Sequence, residues 1–120
     1  MIQLAGEFRV QTVSPTARPK PEPVMWTRRE LDTILRVYGR FVAQGEWKDY
    51  AIDGLRTEAV FSIFRRHSEM PMFSVIKTPA DANRQGQFKV VSVSGQILKR
   101  GHDLTQVMTV FDKKKFRVID

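Results

Sequence analysis

The stretch from Trp26 to Gly45 constrains this chain most, because its apolar residues recur at the spacing of a single helical face. Leu31, Ile34, Leu35, Tyr38, Phe41 and Val42 form that stripe. Thr27 stands at the N-cap, and Glu30, three residues later, completes a reciprocal capping box. Trp26 and Leu31 occupy the hydrophobic-staple positions, and Gly45 suits the left-handed residue that ends a helix. The pattern predicts a helix over Arg28 to Gln44. Such a stripe is not stable alone in water, so it must roof something. Gly39 interrupts the helix at a cost of about 1 kcal/mol against Ala. An exposed site and a close approach to a strand both accommodate it. Arg29, Asp32, Arg36 and Arg40 make the outer, solvated face, where Asp32 can pair with Arg36 one turn on.

What the helix roofs is written in the residues that follow. A short strand is expected over Asp49 to Asp53, with Trp47 and Tyr50 as core plugs. Ala59 to Arg66 is rich in β-formers, with Phe61 and Ile63 on one face and Val60 and Phe64 on the other. Met72 to Lys77 repeats the pattern, joined to it by a hairpin link from His67 to Pro71. Thr78 to Gly86 reads as a polar loop. Phe88 to Val93 is a further strand, and Ser94-Gly95 turns the chain into Gln96 to Lys99. A second helix opens at Asp103, with Gln106 at the reciprocal capping position and Leu104, Val107, Met108 and Phe111 as its apolar face. Phe116 to Ile119 suits a closing edge strand. The fold class expected is α+β: one domain, an antiparallel β-meander of three to five strands packed by an N-terminal helix and a shorter C-terminal helix.

Two stretches stand outside this pattern. Glu7 to Val13 alternates weakly, as a short strand does. Ser14 to Pro23 holds four prolines, which forbid a helix or central strand. Residues 1–23 are therefore expected to form a proline-rich arm, and residues 24–120 the α+β domain. The arm reads as a tail or as a ligand for a proline-binding groove.

Composition bounds the function. The chain has no cysteine, so disulfides and thiol chemistry are excluded, which fits a reducing cytoplasm. No apolar run is long enough to span a membrane, and no secretory signal is visible at the N-terminus. The net charge is +7, distributed as +1 over residues 1–24, zero over 25–55 and +6 over 56–120. A basic second half points to a polyanionic partner, nucleic acid first.

Catalytic motifs are missing. His67 and His102, the only histidines, have no cysteine or second histidine at metal-ligand spacing. No phosphate loop and no dinucleotide-binding glycine fingerprint occurs, and the carboxylates carry no acid/base spacing. Asp103, beside His102, is better used as a helix cap. No cofactor, metal or catalytic residue is expected.

Two basic groupings remain. Lys99, Arg100, Gly101 and His102 precede a helix N-terminus, where free amides favour an anion, although Asp103 puts a carboxylate in the same place. Arg65 and Arg66 end one strand, and Arg84 and Lys89 lie in and just after the next connection. In a meander they can gather with Lys99 and Arg100 into a polyanion-binding stripe. Phe61, Phe64, Phe73 and Phe88 read as core, so no aromatic platform for single strands is expected.

Several runs resemble a known family: Trp26 to Asp32, Tyr38-Gly39-Arg40, Gly45 to Asp53, Ala59 to Arg66, Ser68 to Pro71, and Ile97 to Leu104. Together they resemble a small alphaproteobacterial family catalogued as a domain of unknown function, number twenty-seven ninety-four. The resemblance covers about Val24 to Val118. It implies a bacterial, cytoplasmic protein and carries over no activity, cofactor or site residue.

The function expected is thus a non-enzymatic binding module that contacts nucleic acid through residues 56–120. One alternative is a protein-interaction module using the proline-rich arm or an exposed sheet edge. Another is a regulator binding an anion or nucleotide at Lys99 to Asp103. No membrane partner is expected.

Overall fold

The capping box forms as its spacing requires. In the computed structural model, which describes residues 22–66 and 70–112, the Glu30 amide donates to Thr27 Oγ1 at 3.1 Å and the Thr27 amide donates to Glu30 Oε1 at 2.8 Å. Helix α1 runs from Arg28 to Ala43, with Gln44 as its C-cap and Gly45 at φ 76° beyond it. Ile34 and Phe41 are its buried residues, with Leu31, Leu35 and Tyr38 packed against the core. Val42 departs from expectation and is exposed, because core contact in the last turn runs through Phe41, about 100° round the helix. Gly39 is also exposed, and a Cβ there would meet nothing, so its site is tolerant rather than crowded. Asp32 and Arg36, both in solvent, make no ion pair among the described residues.

Five strands follow: β1 (Asp49–Gly54), β2 (Ala59–Phe64), β3 (Phe73–Lys77), β4 (Phe88–Ser92) and β5 (Ile97–Gly101). They form one antiparallel meander in the order β1-β2-β3-β4-β5. The β3–β4 connection contains a 3-10 turn over Pro79–Asp81. Helix α2 (Leu104–Met108) is shorter than expected and tightens into a 3-10 turn over Thr109–Asp112. Thr109 Oγ1 donates to the Gln106 carbonyl at 2.5 Å, a back-bond that competes with α-helical continuation. Asp103 caps by accepting from the Thr105 amide at 2.9 Å, so the expected partnership with Gln106 does not form.

The registers define two sheet faces. Ala59, Phe61 and Ile63 pair with Lys77, Val75 and Phe73, and Lys77 and Val75 pair in turn with Phe88 and Val90. This face carries the core, and both helices lie on it. Trp26 stacks on Phe88 at 6.4 Å, Phe41 on Trp47 at 4.3 Å, and Phe111 meets Phe73 edge-on at 5.1 Å. Helix α1 therefore crosses from the end of the sheet where β1 finishes to the end where it starts. Two ion pairs pin it there. Lys77 Nζ donates to Glu30 Oε1 at 2.9 Å at one end, and Arg40 Nη2 donates to Asp112 Oδ1 at 2.9 Å at the other.

The opposite face carries Val60, Ser62 and Phe64 of β2, Ser74 and Ile76 of β3, and Lys89 and Val91 of β4. These side chains are half-buried, and among the described residues no helix covers them. The weak strand over Glu7 to Val13, the proline-rich arm up to Pro21, His67 to Glu69 and the expected edge strand at Phe116 to Ile119 lie outside the described residues.

Candidate functional site

The meander brings part of the basic set together. Lys89 and Arg100 are direct cross-strand partners in β4 and β5, on the helix-free face. The β3–β4 loop adds Arg84 and Gln85, and Arg100 Nη1 donates to Gln85 Oε1. Gly86 makes this approach possible. Its φ is 98°, and a Cβ there would stand 2.2 Å from the carbonyl carbon of Gly101. Only a residue without a side chain lets the loop settle on the end of β5. The loop is further tied by the Thr78 amide to the Gln87 carbonyl at 2.7 Å, and by the Arg84 and Gly86 amides to the Asp81 carbonyl at 3.0 and 3.1 Å. Arg84, Lys89 and Arg100 thus form one preorganised basic corner.

None of these three cations is ion-paired among the described residues. Like charges placed directly opposite in a sheet are destabilising by a few tenths of a kcal/mol to about 1 kcal/mol. The Arg100 guanidinium is held by Gln85 on one side, while its Nε is buried without a partner.

The remaining candidates fall elsewhere. Arg65 and Arg66 are exposed at the bend after β2, at the end of the sheet away from the corner. At about 3.3 Å per residue and 4.8 Å per strand, the two clusters are roughly 20 Å apart. The single compact stripe of the sequence reading is therefore two separated clusters. Lys99 faces the helix side as the partner of Val90, and its Nζ donates to Thr109 Oγ1 at 3.1 Å. Lys99 and Arg100 point to opposite faces, as neighbours in a strand must. His102 is exposed, Gly101 pairs with Phe88, and the Asp103 carboxylate occupies the first turn of α2. The structure does not bring Lys99, Arg100, Gly101 and His102 around one point.

Sequence reasoning missed Gln85, which carries no local signal, and the Lys77–Glu30 pair, whose members are 47 positions apart. It also took Phe64 as core, whereas β2 turns that ring to the helix-free face. Phe61, Phe73 and Phe88 do lie on the core face. Among the described residues there is no group of three or more metal-ligating side chains and no helix long and apolar enough to cross a membrane.

Among the described residues, one titratable group is clearly perturbed. Burial raises the Tyr38 phenol above its ordinary range, and the nearby Asp49 carboxylate and the Tyr50 phenol add to the shift. Tyr38 lies in an aromatic cluster, edge-on to Tyr50 at 5.0 Å and to Phe61 at 6.0 Å, so its role is packing.

No curated protein and no solved structure shows significant similarity to this chain. The model of one family, described as a protein of unknown function (DUF2794), matches residues 24–108, from the strand-like lead into α1 to the last residue of α2. The matched span contains the whole meander and every residue of the basic corner, and on that basis the chain belongs to the DUF2794 family.

Proposed function

We propose that this protein is a non-enzymatic binding module that holds nucleic acid at the corner formed by Arg84, Lys89 and Arg100. The observation that carries this reading is the cross-strand pairing of Lys89 with Arg100. Two cations face each other across one ladder, a third is in the adjoining loop, and none of the three makes an ion pair among the described residues. A phosphate chain would remove the repulsion by supplying the missing anions. Arg65 and Arg66 serve as a second contact. Reaching both clusters requires a ligand spanning roughly 20 Å, about six nucleotide rises of 3.4 Å. Contacts of this kind are to phosphate, so binding is sequence-tolerant and salt-sensitive. A chain without cysteine suits work in the reducing cytoplasm.

Fluorescence anisotropy with a labelled 20-nucleotide strand and its duplex, between about 50 and 200 mM salt, tests the proposal. Affinity should fall linearly on a log–log plot, with a slope of about 0.7–0.9 per phosphate contacted. The triple change R84E/K89E/R100E should remove at least about three such contacts from the slope and lower affinity by more than about tenfold. R65E/R66E should have a smaller effect on long ligands and none on ligands too short to reach. Absence of binding at low salt, or equal binding by the triple variant, rejects the reading.

A further inference from the structure

The two edges of the sheet are built differently. Strand β5 is blunted by a register irregularity at Val90/Val91 and carries Lys99 and Arg100, both devices that discourage another strand from pairing. Strand β1 has neither. It is six residues long and pairs with β2 in unbroken register. It holds no lysine, arginine or proline, and nearly all of it is exposed. The Leu55 amide donates to the Glu58 carbonyl at 2.8 Å, which fixes the ladder's parity. Odd-numbered residues of β1 bond to β2, so Tyr50, Ile52 and Gly54 turn their backbone groups outward. The Tyr50 amide accordingly donates to Asp49 Oδ1 at 2.8 Å, leaving the backbone groups of Ile52 at the centre of an edge that has no strand partner among the described residues.

The side chains along this edge are equally specific. On the helix side, Tyr50 and Ile52 are 41% and 40% exposed, and Met25 extends the apolar strip past the end of the strand. Met25 is held beside Gly54, where a Cβ would stand 2.2 Å from its Sδ. Tyr50 is held by stacking on Phe61 at 5.0 Å. On the other face Asp49 and Asp53 alternate with Ala51. The edge is apolar on one face and acidic on the other.

We propose that β1 is a docking edge for an extended segment of a partner protein in which lysine or arginine alternates with apolar residues. Such a segment adds a sixth strand. Its apolar side chains continue the layer begun by Tyr50 and Ile52, and its cations lie across from Asp49 and Asp53. Its backbone takes up the groups of Ile52. A second copy of this chain is a poorer occupant. In the symmetric register centred on Ala51, Asp49 of each copy would face Asp53 of the other. This site is separate from the basic corner, at the opposite edge of the sheet.

The probe is a capped, fluorescein-labelled peptide alternating lysine and valine, titrated with the full chain. Saturable binding is expected, together with slowed hydrogen exchange at the Ile52 amide. A peptide N-methylated at alternate residues keeps the side chains but loses the ladder bonds, and should bind about tenfold more weakly or worse. Replacing lysine by glutamate in the peptide, or Asp53→Lys in the protein, should each weaken binding several-fold, about the effect of one to two cross-strand pairs. Asp53 is exposed, so the variant folds, and an unchanged melting curve verifies this. Equal binding of the N-methylated peptide, or no change in Ile52 exchange, overturns the proposal. So does self-association of the chain that Asp53→Lys alters. The chain's own Lys113 to Ile119 has a similar alternation. If ending the chain at Asp112 raises probe affinity more than about tenfold, the edge belongs to that segment and not to a foreign strand.

Discussion

The two faces of β2 are made from adjacent residues and do opposite work. Ala59, Phe61 and Ile63 are fully buried under the helices, while Val60, Ser62 and Phe64 lie half-buried on the face without them. Composition hardly differs between the sets, so hydrophobicity alone does not choose the inner face. The choice is made by neighbours. Register places Phe61 opposite Val75, beneath the ring of Tyr38, whereas Phe64 is opposite Asp49 at a sheet margin. The core face is therefore a stability surface, and the other face is where unpaired cations can collect.

The sharpest way to break this comparison is truncation on each side. Phe61→Ala should cost about 3–5 kcal/mol, the range for a large ring removed from a closed core. Phe64→Ala should cost less than half as much, because its site opens to water. Urea unfolding of both variants measures the difference, and equal losses would show that the second face is covered too. A smaller contrast is set by two lysines that bracket the same part of the sheet. Lys77, whose side chain is only 12% exposed, bonds both Glu30 Oε1 and the Met25 carbonyl. Lys77→Ala should cost about 2 kcal/mol, a charge-assisted bond lost with Glu30 left half-desolvated. Lys89→Gln should change stability by less than about 0.5 kcal/mol, and in the stabilising direction, because it relieves repulsion from Arg100. A marked loss in the second variant would mean that Lys89 has a structural partner.

The smallest effect is in alkaline solution. The Tyr38 pKa is raised in the folded state, by burial first, so the folded chain holds that proton more tightly than the unfolded one. The stability this confers is complete below the ordinary tyrosine value of about 10 and is lost as pH rises through the folded value. Tyr38→Phe should flatten that part of the stability–pH curve. An unchanged curve would place the phenol in water.

Much of the fold was legible in local pattern. The capping box at Thr27 and Glu30, the stripe of α1, the alternation in β2 and the turns at Gly45 and Gly95 are all short-range signals that formed as read. Errors lie where a distant contact decided. Helix α2 shortened because Thr109 bonds back to Gln106 and also accepts from Lys99 Nζ. Val42 fell outside the core because the last turn of α1 packs through Phe41, which meets the rings of Trp47 and Phe111. The candidate site was legible only as a list of cations. Nothing local shows that Lys89 meets Arg100, that Lys99 turns away, or that Arg65 and Arg66 stand at the other end.

By itself, then, the sequence determined the elements and their order, along with the excess of positive charge in the second half, because capping, periodicity and composition act over a few residues. The tertiary structure alone decided which cations share a face and which edge of the sheet has no strand partner among the described residues. Those depend on strand register and on the Gly86–Gly101 contact, and such pairings join residues whose separation along the chain carries no local trace.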